Sequence, residues 1–206
     1  MSAVKGPKPS RREKAAANRE RMILAAKEAF AEQGYAGTRM TDIAERAGVA
    51  VQTLYFVFHT KPELLEACYE YSVLGPEKLP PPLQAFWQEM RRARSGRGVL
   101  AAFARGNVLI TGRTAVVDEA AKAARHEPEV LRVRTNSEAL RRVGYREVIT
   151  LLAEKGWLRR GLDADTATDE MLVLGSPSTY LELQGYGWSD DRIAGWLGDL
   201  LGARLL

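Results

Sequence analysis

The chain has 206 residues, 46% of them hydrophobic and 27% charged, the balance of an ordinary soluble globular protein long enough to bury a core. No apolar run approaches the roughly 18–20 residues of a membrane span, and the basic N-terminal stretch has no apolar secretory segment, so no membrane partner is expected. A single cysteine, Cys68, excludes a disulfide scaffold and a multi-cysteine zinc site; with only His59 and His126 besides, no metal and no cofactor is expected. These features together predict a reduced, cytoplasmic protein.

The net charge of +4 is unevenly placed. Residues 1–65 hold 11 Lys and Arg against 7 Asp and Glu, whereas residues 66–206 hold 19 of each. A basic front ahead of a neutral remainder suits a polyanion such as nucleic acid, although a solvated tail has the same composition. Residues 1–15, rich in Pro, Lys, Arg and Ser, read as a disordered basic arm.

Helical periodicity then begins with Met22, Ile23, Ala26, Ala29 and Phe30, and Gly34 reads as its stop. A second helix carries Met40, Ile43, Ala44 and Ala47, with Thr38 or Thr41 as its cap and Gly48 ending it after little more than two turns. A third spans about Val51–Val57. A fourth opens at Lys61-Pro62, where proline suits a first helical turn, and turns Leu64, Leu65 and Cys68 inward. Gly75-Pro76 and Pro80-Pro81-Pro82 mark a boundary. Beyond it, helices are expected near 83–94, 98–112, 114–126, 129–155, 164–185 (bent at Pro177) and 190–204. No alternating β-branched strand occurs. The predicted fold class is all-α: a three-helix head at 16–76 containing a helix-turn-helix at about 39–58, and a larger helical domain at 83–206.

A helix-turn-helix needs a small residue where its helices cross, a turn residue tolerant of positive φ, and a buried anchor after it. Ala44, Gly48 and Val49 meet these demands. The second helix must present hydrogen-bonding side chains near its N-terminus to a major groove. Val51, Gln52, Thr53, Tyr55 and Phe56 surround that end, with Leu54 and Phe58 pointing inward.

The stretch AAKEAFAEQGYAGT, followed by DIAERAGV, TLYFVF, Lys61 and Leu64-Leu65, resembles the DNA-binding domain of the tetracycline-repressor (TetR) family over residues 16–76. The resemblance implies that the Thr38 hydroxyl meets a phosphate and that Arg39 reaches phosphate or a base edge. It gives Gln52 a base-reading position, where an amide can pair with adenine. Thr53 and Tyr55 would grip the backbone, and Lys61 would favour a phosphate. Ala50 replaces the family's usual capping hydroxyl, a loss of about 1 kcal/mol. Val51 and Phe56 replace polar positions and suggest contact with thymine methyls.

The resemblance further implies a homodimer on a palindromic operator of double-stranded DNA, and a small-molecule effector held in the larger domain. Trp87, Phe103, Asn107 and Tyr145, with Phe86, Ile110, Thr111 and Arg113, have the apolar walls and scattered polar groups of a pocket, although any helical core has such residues. Leu172, Gly175 and Thr179, with Ile193, Trp196, Leu197 and Leu200, are the expected dimer contacts; packing within one chain is the alternative. A ligand-responsive repressor is the leading reading. A helical enzyme with an accessory DNA-binding head and a non-specific architectural DNA binder are the alternatives. The absence of the phosphate-loop, zinc-protease and serine-elbow motifs speaks against the enzyme.

Overall fold

A computed structural model describes residues 10–206, which form ten α-helices and no strand. The all-α class is as expected. The first nine residues of the expected basic arm lie outside the described region. The rest of that arm is not irregular: Ser10 caps helix α1 (Arg11–Gly37), accepting from the Glu13 amide at 3.2 Å while the Glu13 carboxylate accepts from the Ser10 amide at 2.6 Å. This reciprocal pair satisfies two of the free N–H groups at the helix start, and the Ser10 amide, then its hydroxyl, hold the Glu13 carboxyl below its ordinary range. Residues 11–15, expected to belong to the arm, are therefore the start of α1.

Gly34 interrupts α1 with φ +70°, the left-handed conformation expected of a stop. Helices α2 (Met40–Arg46) and α3 (Val51–Val57) follow, and α4 (Lys61–Leu74) begins on a Thr60 cap with Pro62 in its first turn. Met22, Ile23, Phe30, Ile43, Leu54, Leu64 and Leu65 form the centre of the head's core. That core does not stop at the boundary read near residues 75–82. Val117 and Ala121 of α6 (Gly96–Ala123) and Val130 and Val133 of α7 (Pro128–Glu154) belong to it as well. The head is thus packed onto the body through α1 and α4.

The body adds a 3-10 turn at Pro81–Leu83, α5 (Ala85–Arg92), α8 (Ala164–Leu174), α9 (Pro177–Gly185) and α10 (Asp190–Leu205). Helix α6 is its axis, touching α1, α4, α5, α7, α9 and α10. Two expectations are corrected here. Gly112 does not break α6; it makes room for a crossing, because a Cβ there would sit 3.0 Å from the Tyr180 hydroxyl of α9. The single bent helix over 164–185 is two helices. Ser176 caps the second, accepting from the Thr179 amide at 3.1 Å, and Pro177 occupies its first turn rather than a bend.

Candidate functional site

The helix-turn-helix is built by local chemistry. Gly48 turns the chain with φ +65°, its amide donating to Glu45 at 3.0 Å, while the Val49 amide donates to Ala44 at 3.0 Å. Ala44 is fully buried at the crossing, and Leu54 and Phe58 anchor α3 beneath its outer face. Arg46 clamps α2 to α1, its two terminal nitrogens 2.8 and 2.5 Å from the two carboxylate oxygens of Glu32. No side chain caps α3, as Ala50 implied.

The outer face of α3 is Gln52, Thr53, Tyr55 and Phe56, all exposed, with Phe56 at 82%. None of the polar three forms a side-chain hydrogen bond among the described residues, and the helix carries no charged residue. Arg39 is exposed at the N-terminal cap position of α2. Val51 differs: it is half-buried against the head's core.

Two residues expected at phosphates are turned inward instead. Thr38 is 2% exposed, and its hydroxyl donates to the Gly34 carbonyl at 2.7 Å and the Ala29 carbonyl at 3.1 Å. It closes the end of α1 and caps nothing in α2, whose cap position Arg39 supplies no side-chain bond. Lys61 donates to the carbonyls of Tyr35 at 2.9 Å and Thr38 at 3.1 Å, and its ammonium lies 4.2 Å from the centre of the Tyr35 ring. Burial lowers its pKa from the ordinary lysine value. Lys61 therefore ties α4 to the end of α1.

Beside the head lies a cavity of about 710 Å³, open to solvent and lined mainly by α4, α5, α6 and α7. Such a volume suits a drug-sized molecule. Trp87, Phe103, Asn107 and Tyr145 all line it, as do Phe86, Ile110 and Thr111; Arg113 does not. Phe103 and Tyr145 meet edge to face at 4.9 Å. The Tyr145 hydroxyl donates to the Asn107 side-chain oxygen and to the Gly175 carbonyl, and burial pushes its pKa up to about 12. Residues that sequence reasoning did not single out complete the wall: Glu66, Tyr69, Glu70, Val73 and Leu74 from α4, and Asp118, Glu138, Arg141 and Glu147 from α6 and α7. Arg113 instead packs on Gly75, where a Cβ would lie 2.0 Å from its guanidinium.

Residues 23–68, the segment that folds as α1 to α4, match the family model described as bacterial regulatory proteins, tetR family. The likeness to that family's model is confined to this segment, less than half of the chain. The fold of the described residues is similar to that of several solved structures. It is similar to the fatty acid degradation regulator FadR from Bacillus halodurans, with a TM-score of 0.71 at 18% identity over 97% of each chain. It is also similar to FadR from Bacillus subtilis in complex with stearoyl-CoA, with a TM-score of 0.66 at 20% identity, covering 89% of this chain and 97% of that one. A third is a TetR-like transcriptional regulator from Rhodococcus sp. RHA1, with a TM-score of 0.62 at 18% identity over 96% of this chain and 97% of that one. No curated protein sequence matches the chain.

Several residues expected between protomers are spent within one. Leu197 is 1% exposed and packs in the body's core; Ile193 is buried against Val108 of α6. Gly175 lets α8 approach α6 and α7, since a Cβ there would come within 3.1 Å of both the Asn107 amide and the Tyr145 hydroxyl. These three are corrected from interface to interior. Leu172, Thr179, Trp196 and Leu200 are half-buried, and Thr179 also donates to the Val173 carbonyl at 3.1 Å. Cys68 is buried with its thiol pushed up to about 12 by desolvation, so it stays a protonated, apolar core residue. Among the described residues, no cluster of His, Cys, Asp and Glu has metal-binding geometry and no helix is long and apolar enough to cross a membrane.

The cavity wall has one tight point. At Gly106 a Cβ would fall 2.1 Å from the Phe86 ring, well inside contact distance. Gly106→Ala is expected to drive Phe86 from its place and lower stability by about 1–3 kcal/mol. Chemical denaturation reads this directly; an unchanged midpoint would show that Phe86 has room to retreat.

Proposed function

We infer that the chain is a homodimeric, ligand-responsive repressor of transcription, working without catalysis in the cytoplasm on a palindromic operator. The observation that carries this is α4. One continuous helix buries Leu64 and Leu65 in the core beneath the recognition helix and lines the cavity with Glu66, Tyr69, Glu70, Val73 and Leu74. An effector that prefers one position of α4 shifts the population of head orientations. The two heads of a dimer then lose register with successive major grooves. The relative that carries stearoyl-CoA supports a small-molecule effector.

On DNA, Gln52 reads a base edge, Thr53, Tyr55 and Arg39 contact the backbone, and Phe56 supplies an apolar contact to a thymine methyl. Val51, half-buried, contributes its outer edge. The half-buried faces of α9 and α10, including Trp196 and Leu200, supply the dimer contact. Selection of random duplex DNA on the purified protein tests this reading, with light scattering for the mass of the complex. A palindromic motif bound by one or two dimers is the expected result. Gln52→Ala should then broaden one position of each half-site by about tenfold in affinity ratio. Sequence-insensitive binding would sink the repressor reading in favour of an architectural DNA binder.

A further inference from the structure

The cavity has an electrostatic character that its apolar walls conceal. Five carboxylates line it, Glu66, Glu70, Asp118, Glu138 and Glu147, against a single guanidinium, Arg141. The inner charges are matched. Asp118, 5% exposed, accepts from the Tyr69 hydroxyl at 3.0 Å and lies 3.5 Å from Arg134. Arg141 is held by Glu138 at 2.7 Å and by the Gly175 carbonyl at 3.4 Å, with its guanidinium 5.6 Å from the Tyr145 ring centre. An incoming anion therefore meets no uncommitted cation among the lining residues.

Glu66, Glu70 and Glu147 are different. All three are exposed, and none forms an ion pair among the described residues. Glu66 and Glu70 stand one turn apart on α4 and so share a face; Glu147 approaches from α7. Solvated glutamates are ordinary on an open helix surface. Here they line a 710 Å³ cavity whose deeper wall is aromatic: Tyr69, Phe86, Trp87, Phe103 and Tyr145. Aromatic faces attract cations and accept apolar surface, and carboxylates beside them add a Coulomb term of the same sign.

We propose that the effector is a lipophilic cation, an apolar or aromatic body carrying a delocalised or quaternary positive charge, held by the aromatic wall with Glu66, Glu70 and Glu147 about its charge. This rests on the reading of the cavity as the effector site and specifies its chemistry. Two of the three carboxylates sit on α4, so the charge that selects the ligand acts on the helix that carries the head. A coenzyme A thioester, with its phosphates, meets carboxylates here instead of free basic groups.

Tetraphenylphosphonium and tetraphenylborate, of nearly the same shape and opposite charge, separate the contributions when titrated calorimetrically into the full-length protein. Triphenylphosphine oxide serves as the neutral probe. The phosphonium is expected to bind at least about tenfold more tightly than the borate, a difference of about 1.4 kcal/mol. The protein's net charge of +4 does not favour the cation. In the triple variant Glu66→Gln, Glu70→Gln, Glu147→Gln, the preference should fall below about threefold. Affinity for the neutral probe, and the circular dichroism spectrum, should stay the same. Equal or tighter binding of the borate, or a preference that survives the three glutamines, overturns the assignment of charge. If the neutral probe or the borate still binds, the cavity stands as a ligand site and only its chemistry is wrong. If none of the three binds, the effector-site reading falls with it.

Discussion

Leu197→Asp is expected to unfold the body of the protein, not to release folded protomers. Leu197 is 1% exposed, in a core with Leu100, Ile149, Leu152, Leu201 and Leu205. Removing its side chain beyond Cβ already costs about 2–5 kcal/mol, through lost transfer energy and the cavity left behind. An aspartate adds an unpaired carboxylate in a site with no cation to meet it, so it either takes up a proton or draws in water, and both are unfavourable. The total should exceed about 4 kcal/mol, a large part of a typical domain's stability. Urea denaturation with sedimentation on the same samples reads the two outcomes apart. A cooperative fold at half the wild-type mass would show that Leu197 faces a partner, and would overturn its place in the core. Leu200→Asp is the control, because Leu200 is half-buried and its change should leave the protomer folded.

The apolar stripe of α10 shows how far the sequence could be read. Ile193, Leu197 and Leu201 at helical spacing say that something covers that face, but spacing does not say whether the cover is α6 of the same chain or a second copy. Only the position of α6 decides it, and that depends on contacts between residues about 90 positions apart. The head was legible because its determinants are local: Gly48 at the turn, Ala44 at the crossing and Leu54 beneath the recognition helix lie within eleven residues. The start of α1 was not read correctly. Ser10 and Glu13 have the spacing of a capping box, yet the Pro- and Lys-rich composition around them outweighed it. Gly112 and Gly175 carry no local sign of their use, since a glycine that admits another helix looks the same in sequence as one that ends its own. The cavity's aromatic residues were recognisable by type. Its carboxylates were not, because a glutamate beside a cavity and a glutamate in open solvent obey the same helical pattern.

Lys61 supplies the sharper test of how the head is held together. A lysine opening α4 beside a DNA-binding face invites the role of a phosphate contact, and such a contact removed should reduce the slope of log affinity against log salt by about one. The structure spends this ammonium elsewhere, on the carbonyls of Tyr35 and Thr38 and on the Tyr35 ring, while the Thr38 hydroxyl closes the same junction from the other side. Lys61→Met keeps most of the apolar stem and removes the charge. The salt slope is therefore expected to remain unchanged. Stability should fall by about 1–2 kcal/mol, less than two charge-assisted bonds in isolation because burial already disfavours the ammonium. Affinity for operator and random duplex should drop by the same factor, since a loosened junction between α1 and α4 lowers the fraction of heads in the binding geometry without touching any base contact. A slope reduced by one with stability intact would return Lys61 to the phosphate. A changed base preference would fit neither role and would place the junction among the determinants of sequence reading.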